Sequence, residues 1–305
     1  VTAAAFLQNH YAFGDKGELT SGLRYTWTDL DAKAVQDPAT GERIAMSDNW
    51  KDLTASVRFS RPLGQLEKAR WFAGISQGFR APNLSDLTRF DTARSNEFEI
   101  PVANLDAEEF VSYELGIKID GSRWNSQIAL FYTDIDDLII RVPTGRIIDG
   151  ENEITKRNSG KGYAKGIELQ GRFNVSEAWA LFGNLTLLDG EVDGYPDINA
   201  APVPEPLDRL MPVTAYLGAR WQPVTARFWV EGLLNIADQQ DNLSSRDLQD
   251  TDRIPPGGTP GYTNLTLRGG WQFSDQLRLS LALDNILDED YRNHGSGVNE
   301  PGRNL

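Results

Sequence analysis

The feature that most restricts the fold is a period of two, recurring along the whole chain in unusually long segments. Val111 to Ile119 reads Val, Ser, Tyr, Glu, Leu, Gly, Ile, Lys, Ile, apolar at every second position. Leu277 to Leu283 repeats the pattern as Leu, Arg, Leu, Ser, Leu, Ala, Leu. Such alternation gives a strand one apolar and one polar face. Twelve strands are expected, at about 3–13, 18–28, 51–61, 70–80, 109–119, 123–134, 162–173, 178–189, 212–222, 225–236, 261–273 and 276–287. Most span 10–13 residues. Globular strands average roughly 5–6, whereas a tilted strand crossing a bilayer needs about 9–11. Helical periodicity is nearly absent: a single helical turn near Lys68 or from Pro206 to Met211 is the most expected.

The connections sharpen this reading. Short links carry turn chemistry: Gly14-Asp15-Lys16-Gly17, Asp120-Gly121-Ser122, Asn174 to Glu177, Gln222-Pro223-Val224 and Ser274-Asp275. They alternate with long links at about 29–50, 81–108, 135–161, 190–211, 237–260 and from 288 onward. In an up-and-down meander, that places every short turn at one rim and every long loop at the other. The apolar rows of ten strands carry no charge, while the opposite rows hold Arg24, Arg58, Glu114, Glu168, Arg172, Arg220, Glu231, Arg268 and Arg278 among others. An Arg or Lys on a lipid face costs roughly 2–4 kcal/mol at the midplane, and little in a watery lumen. Trp71, Trp124 and Trp179 follow short turns and Trp221 and Trp271 precede them, so five of the 8 tryptophans share one rim. That is where indoles anchor to lipid headgroups.

Composition closes off other classes. Cysteine is absent, which excludes disulfides, thiolate metal sites and cysteine nucleophiles. The 44 acidic residues outnumber 30 basic ones for a net charge of −14, against a nucleic-acid partner. Apolar runs reach about five residues, as in Ile128 to Tyr132, far short of the roughly 20 a membrane helix needs. The chain opens on Val1 with no basic leader, so a mature protein or a piece of one is expected.

Several motifs resemble those of TonB-dependent outer-membrane receptors. They are Gly78-Phe79-Arg80-Ala81-Pro82 with Leu87 beyond, and Asn104-Leu105 leading into Tyr113-Glu114-Leu115-Gly116. Gly166-Ile167-Glu168-Leu169, Asp284-Asn285-Ile286-Leu287-Asp288, Tyr291 and Gly302-Arg303 continue the series, and Phe6-Leu7-Gln8 through Gly22-Leu23-Arg24-Tyr25 fits a mid-barrel hairpin. The resemblance implies an all-β, antiparallel up-and-down transmembrane β-barrel with long extracellular loops and short periplasmic turns. Residues 1–305 would be part of the barrel domain, about 12 strands of a 22-strand barrel, without a plug domain or the last strand. An open sheet in lipid leaves roughly ten unpaired backbone groups on each edge at about 1–3 kcal/mol apiece, so completion by further chain is expected.

The same resemblance implies integral outer-membrane location and energised uptake of a scarce nutrient, most often a ferric siderophore or another iron complex. Cobalamin, haem and oligosaccharides stay open as ligands. The implied partners are outer-membrane lipid and lipopolysaccharide, the iron chelate or similar small ligand, and the TonB energy-coupling complex reached through a plug domain. A passive porin is the rival reading.

Candidate ligand contacts fall in the loop 81–108 and the strand end before it: Arg80, Asn83, Arg89, Phe90, Arg94 and Asn96. Arginine beside aromatics suits an anionic, ring-bearing ligand; the plainer alternative is a loop packing against its neighbours. Haem-uptake members bear a histidine in this loop, and none occurs here. His10 and His294 make no zinc motif, so no metal, cofactor or catalytic residue is expected. Carboxylate clusters such as Asp134, Asp136 and Asp137 could suit calcium, although no twelve-residue calcium loop occurs and a solvated acidic surface is the simpler reading. Enzyme motifs are missing; His294-Gly295-Ser296 is the one place a phospholipase-like barrel could start.

Overall fold

The computed structural model describes residues 1–14, 16–36, 40–64, 66–94, 96–158 and 160–305, leaving out the side chains of Ile44, Leu66, Glu67 and Arg94. Asp15, in the first expected turn, lies outside the described residues. The chain begins with a meander of β1 (Thr2–Phe13), β2 (Gly17–Gln36), β3 (Arg43–Leu63) and β4 (Leu66–Arg80). A short helix α1 (Leu84–Thr88) and strands β5 (Asp91–Arg94) and β6 (Glu97–Glu99) follow. Next come β7 (Glu108–Asp120), β8 (Trp124–Asp136), the hairpin β9 (Ile139–Ile148) and β10 (Glu151–Asn158), and β11 (Lys161–Asn174). The remainder comprises β12 (Trp179–Gly194), β13 (Val203–Pro206), β14 (Thr214–Trp221), β15 (Phe228–Ala237), helix α2 (Ser245–Gln249), β16 (Tyr262–Gln272) and β17 (Arg278–Leu283).

The twelve expected strands form one antiparallel wall in the order β1-β2-β3-β4-β7-β8-β11-β12-β14-β15-β16-β17, with β13 added beside β12. The wall is open, ending at β1 and β17. A second, four-stranded sheet runs β5-β6-β10-β9 and is built entirely from two long loops. Among the described residues, no helix is long and apolar enough to cross a membrane. The helical turns sit at α1 and α2, not near Lys68 or at Pro206 to Met211 as the sequence suggested, because capping residues start them. Asn83 accepts from the Asp86 N–H, and Ser244 accepts from the Asp247 N–H.

The period of two has the anticipated result. Leu115, Leu267 and Leu281, from one row, are 52 %, 46 % and 57 % exposed, as a lipid-facing surface requires. On the other face charges pair across strands, Arg58 with Glu114 at 3.8 Å and Arg220 with Glu231 at 3.5 Å. The short-turn rim carries a run of aromatic contacts. Trp179 meets Trp221 at 6.2 Å, Trp221 meets Phe228 at 5.5 Å, Phe228 meets Trp271 at 5.8 Å and Trp271 meets Phe273 at 5.6 Å. Such a row is the physical form of an interfacial anchor. Serine hydroxyls close two of the short turns: Ser176 accepts from the Trp179 N–H at 3.1 Å and Ser274 from the Leu277 N–H at 3.2 Å.

Two features exceed what alternation can show. First, β2 and β3 continue for 20 and 21 residues, so their outer halves run well beyond a bilayer's thickness. Second, on the charged face an aromatic ring lies over a glycine on the neighbouring strand: Phe72 over Gly116, Phe131 over Gly166, Phe182 over Gly218 and Trp229 over Gly270. A Cβ at Gly116 or Gly218 would overlap the ring. Each pair ties two strands joined by a long loop. The buried apolar core lies where loops meet the wall: Trp50, Leu87 and Leu105 pack together, and Trp50 Nε1 donates to the Leu105 carbonyl at 2.9 Å.

Candidate functional site

The long loops gather at one end of the wall into a cap held by buried ion pairs. Arg80, the last residue of β4, is the entry point. Its guanidinium clasps Glu108 at the start of β7 through Nε and Nη2 and reaches Asp86 of α1 at 2.8 Å. Asp86 also accepts from the Asn83 N–H at 3.0 Å and from Lys156 Nζ at 3.0 Å. Burial alone would push the Asp86 carboxyl up, but these donors outweigh it and hold it below the usual carboxylate range.

From Lys156 the network passes into the four-stranded sheet. Lys156 is 6 % exposed, and its ammonium lies 3.0 Å from Glu99 and 3.2 Å from the Ser85 carbonyl. Glu99, itself buried, also accepts from Arg141 Nε at 2.7 Å. Glu153 accepts from Thr144 and from Arg146, each at 2.7 Å. Across the cap, Arg246 of α2 donates to Glu97 at 2.6 Å, joining segments 149 residues apart. Arg209 donates to Asp250 at 2.8 Å through its guanidinium and to Asp247 at 2.8 Å through its N–H. Breaking one partner of a buried pair costs about 3–5 kcal/mol, so these contacts hold one arrangement of loops.

Within the cap lies a cleft of about 210 Å³. It is lined by the charged Asp86, Arg141, Lys156, Glu205, Asp208 and Arg246 and by the apolar Leu138, Ile140, Val192 and Leu207. That space is below the roughly 300 Å³ of a typical small-molecule site, so it suits one ring or side arm of a ligand.

The sequence-predicted contacts occupy several roles in this cap. Arg80 and Asn83 hold the loop, the first by ion pairs and the second as the cap of α1. Arg89 pairs with Asp91 and donates to the Thr92 carbonyl at 3.0 Å. Phe90, 37 % exposed, meets Phe98 edge-on at 5.1 Å. Asn96 forms the turn between β5 and β6 with φ of 58°. The backbone of Arg94 pairs with Glu97, and its side chain lies outside the described residues. Arg141, Lys156 and Arg246, which reasoning from the sequence missed, come from other loops. The local signals that were available are the caps, Asn83 and Ser244, each three residues before an aspartate.

The remaining candidates are accounted for separately. His294 is buried and its Nδ1 shares a hydrogen bond with Thr259 Oγ1 at 2.9 Å; burial pushes its imidazole below the ordinary value. Ser296 donates instead to the Val298 carbonyl at 2.9 Å, so the two residues form no catalytic pair. Burial and then Asp106 and Asp136 push the Asp137 carboxyl up. Among the described residues, no three His, Cys, Asp or Glu side chains are grouped as metal ligands.

Comparison with known proteins agrees with this architecture. The family described as TonB dependent receptor-like, beta-barrel matches residues 1–286, and the chain belongs to it. The pesticin receptor of Yersinia enterocolitica is 26 % identical over 96 % of the chain, which spans 40 % of that relative. The ferric enterobactin receptor PirA of Pseudomonas aeruginosa is 24 % identical over 84 % of the chain and 35 % of its own length. The solved structure of the copper transporter OprC superposes with a TM-score of 0.79 at 16 % identity, over 99 % of this chain and 46 % of that one. The chain thus spans about two fifths of the curated relatives it matches. These proteins are receptors and transporters rather than enzymes, and the wall is that of an integral outer-membrane protein.

Proposed function

We propose that the chain supplies twelve strands and the outer loop cap of a receptor for TonB-dependent uptake of an iron complex, most simply a ferric siderophore. One observation carries this reading: a loop cap braced by ion pairs and holding a small cleft stands at one end of a wall with one charged face. The buried Arg246–Glu97 pair holds loops 149 residues apart in one arrangement, as a ligand-binding cap requires. Relatives named as receptors for pesticin, ferric enterobactin and ferric aerobactin support the ligand class. The open edges at β1 and β17 would be paired by further barrel strands, with a plug domain linking the barrel to the energy-coupling complex, since unpaired strand edges are not tolerated in lipid. Lipopolysaccharide would surround the outer rim.

In this reading Arg89, Phe90, Arg94 and Asn96, none of which lines the cleft, meet the ligand on the loop surface, while Arg80 and Asn83 preserve the loop's shape. The test is uptake of radiolabelled iron as defined ferric chelates by cells carrying the intact gene. One or more chelates should be accumulated, and accumulation should stop when energy coupling is disabled. Uptake that persists without coupling would overturn the receptor reading in favour of a pore. Arg89→Ala with Phe90→Ala should raise the half-saturating concentration at least tenfold without altering protease resistance of the loops.

A further inference from the structure

The loop cap consists of two halves, and its cleft lies on the seam between them. The links β4–β7 and β8–β11 form the first half, with α1, β5, β6, β9 and β10. The links β12–β14 and β15–β16 form the second, with β13 and α2. Ile140, Arg141 and Lys156 line the cleft from the first half, and Glu205, Leu207 and Arg246 from the second.

Each half is braced within itself. In the first, Lys156 joins Asp86 and Glu99 at 3.0 Å each, and β6 pairs with β10. In the second, Arg209 joins Asp250, Ser244 Oγ donates to Asp208 and the Ser245 N–H donates to Glu205, each at 2.8 Å. The segment 205–209 thereby clasps α2.

The seam is crossed in another way. Arg246 reaches over to Glu97 at 2.6 Å, with both side chains less than one-tenth exposed. Elsewhere the Ile198 N–H donates to the Pro143 carbonyl at 2.9 Å, and the Arg157 guanidinium lies 4.0 Å from the Tyr195 ring. Arg246 also has Asp208 of its own half at 3.4 Å. When the halves part, the guanidinium keeps that partner and Glu97 turns to water. Glu99 differs: its cations Lys156 and Arg141 both belong to its own half and travel with it. A buried pair whose cation has a second carboxylate on the same side can be broken and remade without leaving that cation alone.

We propose that the cap opens along this seam, with Glu97–Arg246 as the latch and the two braced halves moving as units. A cleft of about 210 Å³ accepts only part of a typical small molecule, so parting of the halves is what lets a larger one reach Arg141 and Lys156. The opening rests on these contacts; only its service to ligand entry rests on the receptor reading.

The experiment uses the full-length receptor in detergent and reads labelling by a fluorescein maleimide, site by site, from peptide masses. Residues 1–305 contain no cysteine, so Val192→Cys places a defined thiol at a cleft position that is 6 % exposed. Ile147→Cys, at a position 71 % exposed, reports reagent access outside the seam. In the parent, the Val192 position should react about a hundredfold more slowly than the Ile147 position. Glu97→Gln should speed labelling at Val192 at least tenfold. Glu153→Gln, which loses a buried pair with Arg146 inside the first half, should leave it within twofold. Should Glu97→Gln fail to assemble, Arg246→Lys is read instead; it keeps the charge, loses the planar fork and should speed labelling several-fold. Equal rates at Val192 and Ile147 in the parent would overturn the proposal, with no latch variant needed. So would an unchanged rate in the latch variants, or an equal rise with Glu153→Gln. Labelling as expected in a receptor that takes up no iron chelate would remove the uptake reading and leave the seam standing.

Discussion

The two ends of the charged face use arginine in opposite ways. At the loop end, Arg80, Arg141 and Arg246 are locked against buried carboxylates Glu108, Glu99 and Glu97. At the short-turn end, Arg172 and Arg278 lean on the neutral Asn174 and Gln272. In the first case the charge is cancelled and the side chain becomes a tie between loops. In the second it is merely aimed. The acceptor, not the arginine, decides whether the charge is cancelled or only oriented.

The most severe way to break this contrast is to remove a tie. Arg246→Ala leaves Glu97 buried without its charged partner, for a loss of about 3–5 kcal/mol. Hydrogen exchange should accelerate together in β5, β6 and α2 while β7 and β8 keep their protection. Arg278→Gln, by contrast, removes one hydrogen bond at an exposed strand and should cost about 1 kcal/mol or less. Comparable losses in the two variants would erase the distinction between tie and reserve.

A smaller effect asks whether the wall between the two ends transmits strain. Gly218→Val drives a side chain into the Phe182 ring, an overpacking worth about 1–3 kcal/mol. The urea midpoint of the full receptor in detergent should fall, and Phe182→Ala in the same chain should restore most of it. Failure of that rescue would mean the ring and the glycine are not a packing unit. Gly116 and Gly166 stand in the sequence motifs that pointed to the family, yet the reason for them sits on β4 and β8, where Phe72 and Phe131 cover them.

That separation marks what the sequence could show. The wall was legible because lipid on one side and water on the other impose alternation, as Val111 to Ile119 shows. The outer halves of β2 and β3 were not, since residues such as Asp29, Asp31, Asp48 and Asn49 stand in water on both faces and carry no period. The hairpin β9–β10 is obscured by Pro143 and by Gly145, whose φ of 84° bends the strand. Within the cap, Arg80 and the loop after it were visible, but Glu97 with Arg246 and Asp86 with Lys156 are contacts across long sequence distances. No local pattern announces a partner 149 residues away.

Acid should separate two parts of the loop cap most gently. In the folded chain His294 is held below its ordinary 6.5, so on acidification the unfolded loop takes the proton first. The contact with Thr259 is therefore fully favourable above about pH 6.5 and weakens as the pH falls through that value. Asp86, also held below its ordinary value, stabilises the cap at neutral pH and loses that contribution only when the pH drops through the lower, folded-state range. Two steps should result: exchange rising a few-fold around residues 259 and 294 between about pH 7 and 5, then around α1 below about pH 4. A simultaneous loss of protection at both places near pH 6 would show that they form one cooperative unit rather than two.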